Sequence, residues 1–140
     1  MLNAGIVGAG ILGYAHAENL RDHPDVTVRA VADIRADAAQ RLASQLGAEA
    51  YTGVADMLQQ CPLDLIVVVT PDPYHREPTL AAIAAGVPNI LQEKPLATNL
   101  ADARAIYEAV ESSGTRLFVN YANRSAPMDI ATAYTIREGL

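Results

Sequence analysis

Short apolar runs alternate with amphipathic stretches along all 140 residues, with no internal repeat, low-complexity segment or linker between them. Runs rich in Val, Ile, Leu and Ala predict strands over 2–7, 26–32, 63–70, 87–91 and 115–119, with a weaker one at 50–51. Helical spacing predicts helices over 11–21, 36–46, 54–60, 74–85 and 100–113. The last of these carries its own punctuation. Asn99 stands at the cap position, Asp102 follows three residues on, and Gly114 closes the helix. The segment MDIATAYTI, 128–136, reads either as uncovered apolar surface through which the chain could self-associate or, in its ordinary reading, as one more sheet-covering helix. A run such as LIVVVT, 65–70, is apolar on both faces, as befits a strand covered by helices on each side, and helix-linked parallel strands provide that burial. The expected fold is therefore α/β, a doubly wound parallel sheet with helices on both faces. In such a sheet ligands bind beyond the carboxyl ends of the strands, so the residues just after each strand are the ones to inspect.

The first strand ends in GAGILG, Gly8 to Gly13, an intact G-x-G-x-x-G. Gly8 permits a tight turn, Gly10 lets the backbone approach a pyrophosphate, and Gly13 lets the helix pack closely on the strand. The helix start, with the amides of Ile11 and Leu12, offers free N–H groups to phosphate. Asp33 ends the second strand 20 residues after Gly13, where a carboxylate can accept hydrogen bonds from an adenosine ribose. Together these predict a Rossmann-type site for a nicotinamide dinucleotide. A carboxylate at Asp33 repels a 2′-phosphate and Ile34 brings no compensating charge, which favours NAD over NADP; Arg35 pulls the other way, since it can swing towards a 2′-phosphate or lie against the adenine.

Two further strand ends carry chemistry. TPDPYH, Thr70 to His75, has two prolines that stiffen a loop on the cofactor side. Thr70 either offers its hydroxyl to phosphate or ribose or serves a turn and helix cap; His75 either contacts a ligand or starts a helix. His16 and His23 read as structural or solvated. The other strand end is NILQEKPLA, 89–97, in which Glu93, Lys94 and Pro95 follow the apolar run of Ile90 and Leu91. A lysine there can give or take the proton of a substrate oxygen while hydride moves to or from a nicotinamide. Pro95 keeps the Lys94 backbone out of the α region, and Glu93 can orient the lysine or neutralise its charge. Elsewhere such a pair would be an ordinary surface ion pair.

Composition narrows the partners. A formal net charge of −6 gives no long-range attraction to nucleic acid or an anionic membrane. The start of the chain lacks a basic leader, and no apolar run approaches a membrane span. The single cysteine, Cys61, excludes an internal disulfide and reads as a small, partly buried residue before Pro62; a reducing cytoplasm is expected. No metal spacing is visible among the carboxylates and three histidines.

GIVGAGILG, Asp33, TPDPYH and EKPLA, followed by a helix and NYANR-x-x-P, closely resemble the N-terminal half of the glucose-fructose oxidoreductase, inositol dehydrogenase and rhizopine-catabolism (Gfo/Idh/MocA) family. The resemblance runs in order through the whole chain. It implies a nicotinamide-dependent oxidoreductase acting on hydroxyl or carbonyl groups of sugars, cyclitols and similar small polar compounds. By the same analogy Lys94 is catalytic, Glu93 and Pro95 belong to the site, Thr70, Pro71 and His75 line the cofactor cleft, and Lys94-Pro95 is cis. Tyr121, Arg124 and Pro127 match a further family pattern that would bring Arg124 to the nicotinamide or substrate; Asn120 stands where glycine is usual and Ser125 where an aromatic is usual.

The family carries a second, C-terminal domain that supplies the substrate pocket and usually the oligomer contacts. The expectation for this chain is one NAD(P)-binding domain over 1–140, separated from such a partner domain, able to bind cofactor and to self-associate through uncovered apolar surface, yet poorly active alone. The competing expectation is a non-catalytic NAD-binding sensor on the same fold.

Overall fold

The computed structural model describes residues 1–139. Among them six strands form one sheet: β1 (Leu2–Val7), β2 (Val26–Ala32), β3 (Glu49–Tyr51), β4 (Leu65–Val68), β5 (Asn89–Glu93) and β6 (Arg116–Asn120). They lie in the order β3-β2-β1-β4-β5-β6, and each neighbouring pair is parallel. The helices are α1 (Ile11–Arg21), α2 (Ala36–Leu46), α3 (Val54–Gln60), α4 (Arg76–Ala84), α5 (Leu100–Ser113) and α6 (Pro127–Glu138).

The alternation of side chains along each strand builds two cores, one per face. Ile6, Val31 and Val67 meet Ala17 of α1 and Ala38 and Leu42 of α2. Ile66, Val68 and Ile90 meet Met57 of α3 and Ala82 and Ile83 of α4, with Ala109 and Val110 of α5 beside them. Burying one such branched side chain contributes about 1.5–3 kcal/mol, so strands apolar on both faces hold the sheet between its helix layers. This is the doubly wound arrangement. From β1 the chain winds out to β3, then returns to β4 on the other side of β1, which opens a crevice at the carboxyl ends of β1 and β4.

The α5 caps form as the sequence predicts: Asn99 Oδ1 accepts the Asp102 amide at 2.9 Å, the Asn99 side-chain amide donates back to Asp102 Oδ2 at 2.6 Å, and Gly114 is left-handed at φ 76°. Several boundaries differ, each by one or two residues, and three of the differences have a visible cause or consequence. β4 begins at Leu65, not at 63, because the Asp64 carboxylate accepts the Asn3 amide at 2.8 Å in place of a backbone carbonyl. The proline pair of TPDPYH forms a short 3₁₀ turn, Asp72–Tyr74, and α4 starts only at Arg76. β5 continues two residues past Leu91, so Gln92 and Glu93 are strand residues.

Of the two readings of 128–136, uncovered apolar surface is the one the structure shows, and the sheet-covering helix is corrected. α6 forms, but none of its residues is buried, and Met128, Ile130, Tyr134 and Ile136 are exposed. Its apolar positions are spread around the axis instead of gathered into one stripe, so no face is fitted to the sheet. Among the described residues no helix is long and apolar enough to cross a membrane.

Candidate functional site

The glycine loop is shaped by two close approaches and one open position. Gly8 has φ +109°, and a β-carbon there would stand 2.6 Å from the Val69 carbonyl oxygen. At Gly13 a β-carbon would stand 2.2 Å from the Gly8 carbonyl oxygen, so the first turn of α1 can close on β1 only with glycine. Gly10 is different, since a β-carbon there meets nothing within 4 Å. The first intrahelical bond of α1 runs from the Tyr14 amide to the Gly10 carbonyl at 3.1 Å, which leaves the amides of Ile11, Leu12 and Gly13 without an intrahelical acceptor. Free N–H groups and the positive end of the helix dipole thus face an open space above Gly10. A pyrophosphate fits that combination of bare backbone and unpaired donors.

Beside this loop Asp33 leaves the end of β2. Its Oδ2 accepts the Ala9 amide at 2.7 Å, and its Oδ1 accepts the Arg35 amide at 2.9 Å and Arg35 Nε at 3.3 Å. Burial pushes the Asp33 carboxyl up; the two amides and the guanidinium outweigh it and hold the group below the usual aspartate value. Oδ2, which accepts one bond, keeps lone-pair capacity for a ribose hydroxyl. Arg35 is thus turned onto Asp33 and remains exposed, as does Ile34. An open cavity of about 480 Å³ next to them is lined by Ala9, Gly10, Ile11, Tyr14, Arg35 and Arg41.

The Lys94 turn follows β5, two strands over from β1. Lys94 is exposed, the Lys94-Pro95 peptide is cis, and among the described residues no ion pair or hydrogen bond engages Lys94 Nζ. Glu93 does not pair with the lysine side chain, so of its two expected roles the neutralising one is not met; its link to Lys94 runs through the backbone amide. It is 7% exposed; its Oε1 lies 2.8 Å from His16 Nε2 and accepts Asn120 Nδ2 at 2.7 Å, and its Oε2 accepts the Lys94 backbone amide at 3.3 Å. Burial pushes this carboxyl up, and the donors from His16, Asn120 and the Lys94 amide outweigh it, leaving Glu93 below the usual glutamate value.

His75 takes the helix-start reading, as the N-cap residue of α4, and not the ligand-contacting one. It is fully buried, and its two ring nitrogens lie 2.8 Å from the Pro95 carbonyl oxygen and 2.9 Å from the Thr70 carbonyl oxygen. Both nitrogens are engaged, so His75 does not line the cleft. It ties the TPDPYH turn to the Lys94 turn. Gln92, fully buried, reinforces that tie by donating to the Leu96 carbonyl at 2.9 Å while its own oxygen accepts the Thr79 hydroxyl at 2.7 Å. Thr70 gives its proton to the Tyr74 carbonyl at 3.1 Å, which is the turn reading, and Pro71 is exposed just before that turn. Arg124 follows the carboxyl end of β6 and lines a hollow with Asp129, Ile130, Ala133, Tyr134 and Arg137 around α6.

Sequence reasoning left out His16, Gln92 and Asn120. His16 carried one available signal, its position three residues after Gly13 on the same helix, which points it back towards the strand ends.

A model of an oxidoreductase family with an NAD-binding Rossmann fold matches residues 2–121. The chain belongs to the Gfo/Idh/MocA oxidoreductase family. It is similar to an inositol 2-dehydrogenase of Klebsiella pneumoniae, 40% identical over 119 residues, which cover 83% of this chain and 35% of that protein. A crystal structure of an NAD-binding oxidoreductase from Klebsiella pneumoniae superposes with a TM-score of 0.82 at 31% identity, over 99% of this chain and 39% of the other. The WlbA dehydrogenase of Bordetella pertussis, in complex with NADH and UDP-GlcNAcA, superposes with a TM-score of 0.90 at 28% identity, over 99% of this chain and 42% of the other. The Gfo/Idh/MocA chain described here therefore spans about 35–42% of the length of the relatives it matches.

Proposed function

We propose that this Gfo/Idh/MocA domain binds NAD in preference to NADP and, joined to a substrate-binding domain, oxidises or reduces a hydroxyl or carbonyl group of a cyclitol or sugar-like compound with Lys94 as acid/base. The observation that carries the reading is the arrangement of three chemistries on one edge: the open space above Gly10, the Asp33 carboxylate, and Lys94, at the carboxyl ends of β1, β2 and β5. In this reading Gly10 and the amides of Ile11, Leu12 and Gly13 receive the pyrophosphate, and Asp33 accepts the ribose hydroxyls. A 2′-phosphate would face the Asp33 charge, which supports NAD; Arg35 is already engaged by that carboxylate. The nicotinamide, when bound, takes up or gives the hydride. Lys94 Nζ takes the hydroxyl proton as the carbonyl forms and returns it in the opposite direction. Similarity to an inositol 2-dehydrogenase and to a dehydrogenase seen with a nucleotide sugar supports the substrate class. A reducing cytoplasm suits the single cysteine.

Lys94→Ala in the protein carrying both domains tests the assignment. Turnover is expected to fall by about 10²–10⁴-fold, the usual span for acid–base catalysis, with NAD affinity kept. Turnover within a few-fold of the parent would remove Lys94 from the acid/base role.

A further inference from the structure

Glu93 is a buried carboxylate held by three donors from three elements: His16 of α1, Asn120 at the end of β6, and the backbone amide of Lys94 itself. Burying a charge is costly unless it is paired and hydrogen-bonded, and a strand end covered by helices can be sealed with apolar side chains instead. The carboxylate does something an apolar group cannot. One oxygen takes both side-chain donors, which fixes the plane of the carboxyl, and the other oxygen faces the Lys94 amide. We propose that His16 and Asn120 are positioning residues for Lys94: acting through Glu93, they set the backbone from which the Lys94 side chain reaches its substrate. The inference rests on the reading of Lys94 as the acid/base.

His16 adds a second connection. It follows Gly13 by three residues, so one helix carries the phosphate-facing amides at its start and the brace on the Lys94 turn one turn later. The glycine loop and the lysine are thereby held in a fixed relation by α1 and β5, with Asn120 completing the brace from the neighbouring strand. On the opposite side the turn is closed by His75 and Gln92, which bind the Pro95 and Leu96 carbonyl oxygens. Gln92 Nε2 also lies 3.3 Å from the Glu93 backbone carbonyl oxygen, but none of these contacts reaches the Glu93 carboxylate, so the donors on that carboxylate can be cut separately.

The test compares His16→Ala, His16→Gln and Asn120→Ala in this chain, reading Lys94 amide hydrogen exchange by NMR, the NAD affinity, and the denaturant midpoint. A glutamine amide nitrogen reaches about as far from the backbone as His Nε2 and is also a donor. His16→Ala and Asn120→Ala should each speed exchange at Lys94 by about tenfold, the effect of losing one hydrogen bond to a charged group, while His16→Gln stays near the parent rate. Exchange at the Thr79 amide, which donates to the carbonyl of His75 on the other brace, should stay unchanged. Unchanged Lys94 exchange in both alanine variants would overturn the proposal. So would equal acceleration in His16→Ala and His16→Gln, which would make His16 a packing residue. If the alanine variant at His16 fails to fold, Asn120→Ala and His16→Gln decide alone. Absence of NAD binding in the parent chain would instead count against the functional reading, independently of the exchange result.

Discussion

A methyl group at Gly13 would stand 2.2 Å from the Gly8 carbonyl oxygen, whereas one at Gly10 meets nothing within 4 Å. The two glycines of one motif therefore meet different surroundings, close packing at Gly13 and open space at Gly10, where the proposed ligand would approach. Gly13→Ala should destabilise the fold by about 1–3 kcal/mol in a denaturant titration, the range for overpacking. Gly10→Ala should leave stability within about 0.5 kcal/mol and weaken NAD binding by at least about tenfold. The reverse pattern would mean that the loop is shaped for packing alone. The carboxylates make a second residue-scale prediction. Asp33 and Glu93 are both held below their ordinary values, so the folded chain binds fewer protons than the unfolded one as pH falls. Their contribution is complete above the unfolded carboxylate values, near about pH 5, and is lost as pH drops through the lower folded values. Denaturant midpoints measured from about pH 6 to about pH 3 should fall, and fall less steeply in Glu93→Gln. Parallel slopes for the two proteins would show that Glu93 titrates alike in both states.

At the scale of elements, what the sequence makes legible is what local chemistry decides. Asn99, Asp102 and Gly114 mark the ends of α5 by hydrogen bonds within a few residues, and both ends lie where those residues put them. Asn99→Ala should cost about 1 kcal/mol of stability, read as a lower thermal midpoint, and an unaltered midpoint would mean that the cap is idle. The end of β5 was not legible for the opposite reason. Gln92 and Glu93 look like the start of a loop because they are polar, yet both are buried; Thr79, His16 and Asn120, 13 to 77 residues away, supply their partners. His75 belongs with them, since nothing in TPDPYH announces that its ring will bind a carbonyl oxygen 20 residues further on. α6 shows the converse limit, because helical spacing predicts a helix and not whether a face of it finds a partner.

For the whole molecule, the parallel order β3-β2-β1-β4-β5-β6 gathers every strand end onto one edge, and that order follows from the alternation of strands and helices in the sequence. The glycine loop, Asp33 and Lys94 are separated along the chain and meet there because of topology. Hydride transfer would further need a substrate held against the nicotinamide, and much of an enzyme's rate comes from such positioning. Cofactor binding asks less, since the determinants proposed for it are all on the edge described. The most direct test is calorimetric titration of this chain with NAD and, separately, with NADP. Saturable binding of NAD, at least about tenfold tighter than NADP, is the expected result for a carboxylate facing the ribose. Equal affinity for the two, or no binding of either, would contradict the account of the glycine loop and Asp33 as the cofactor site.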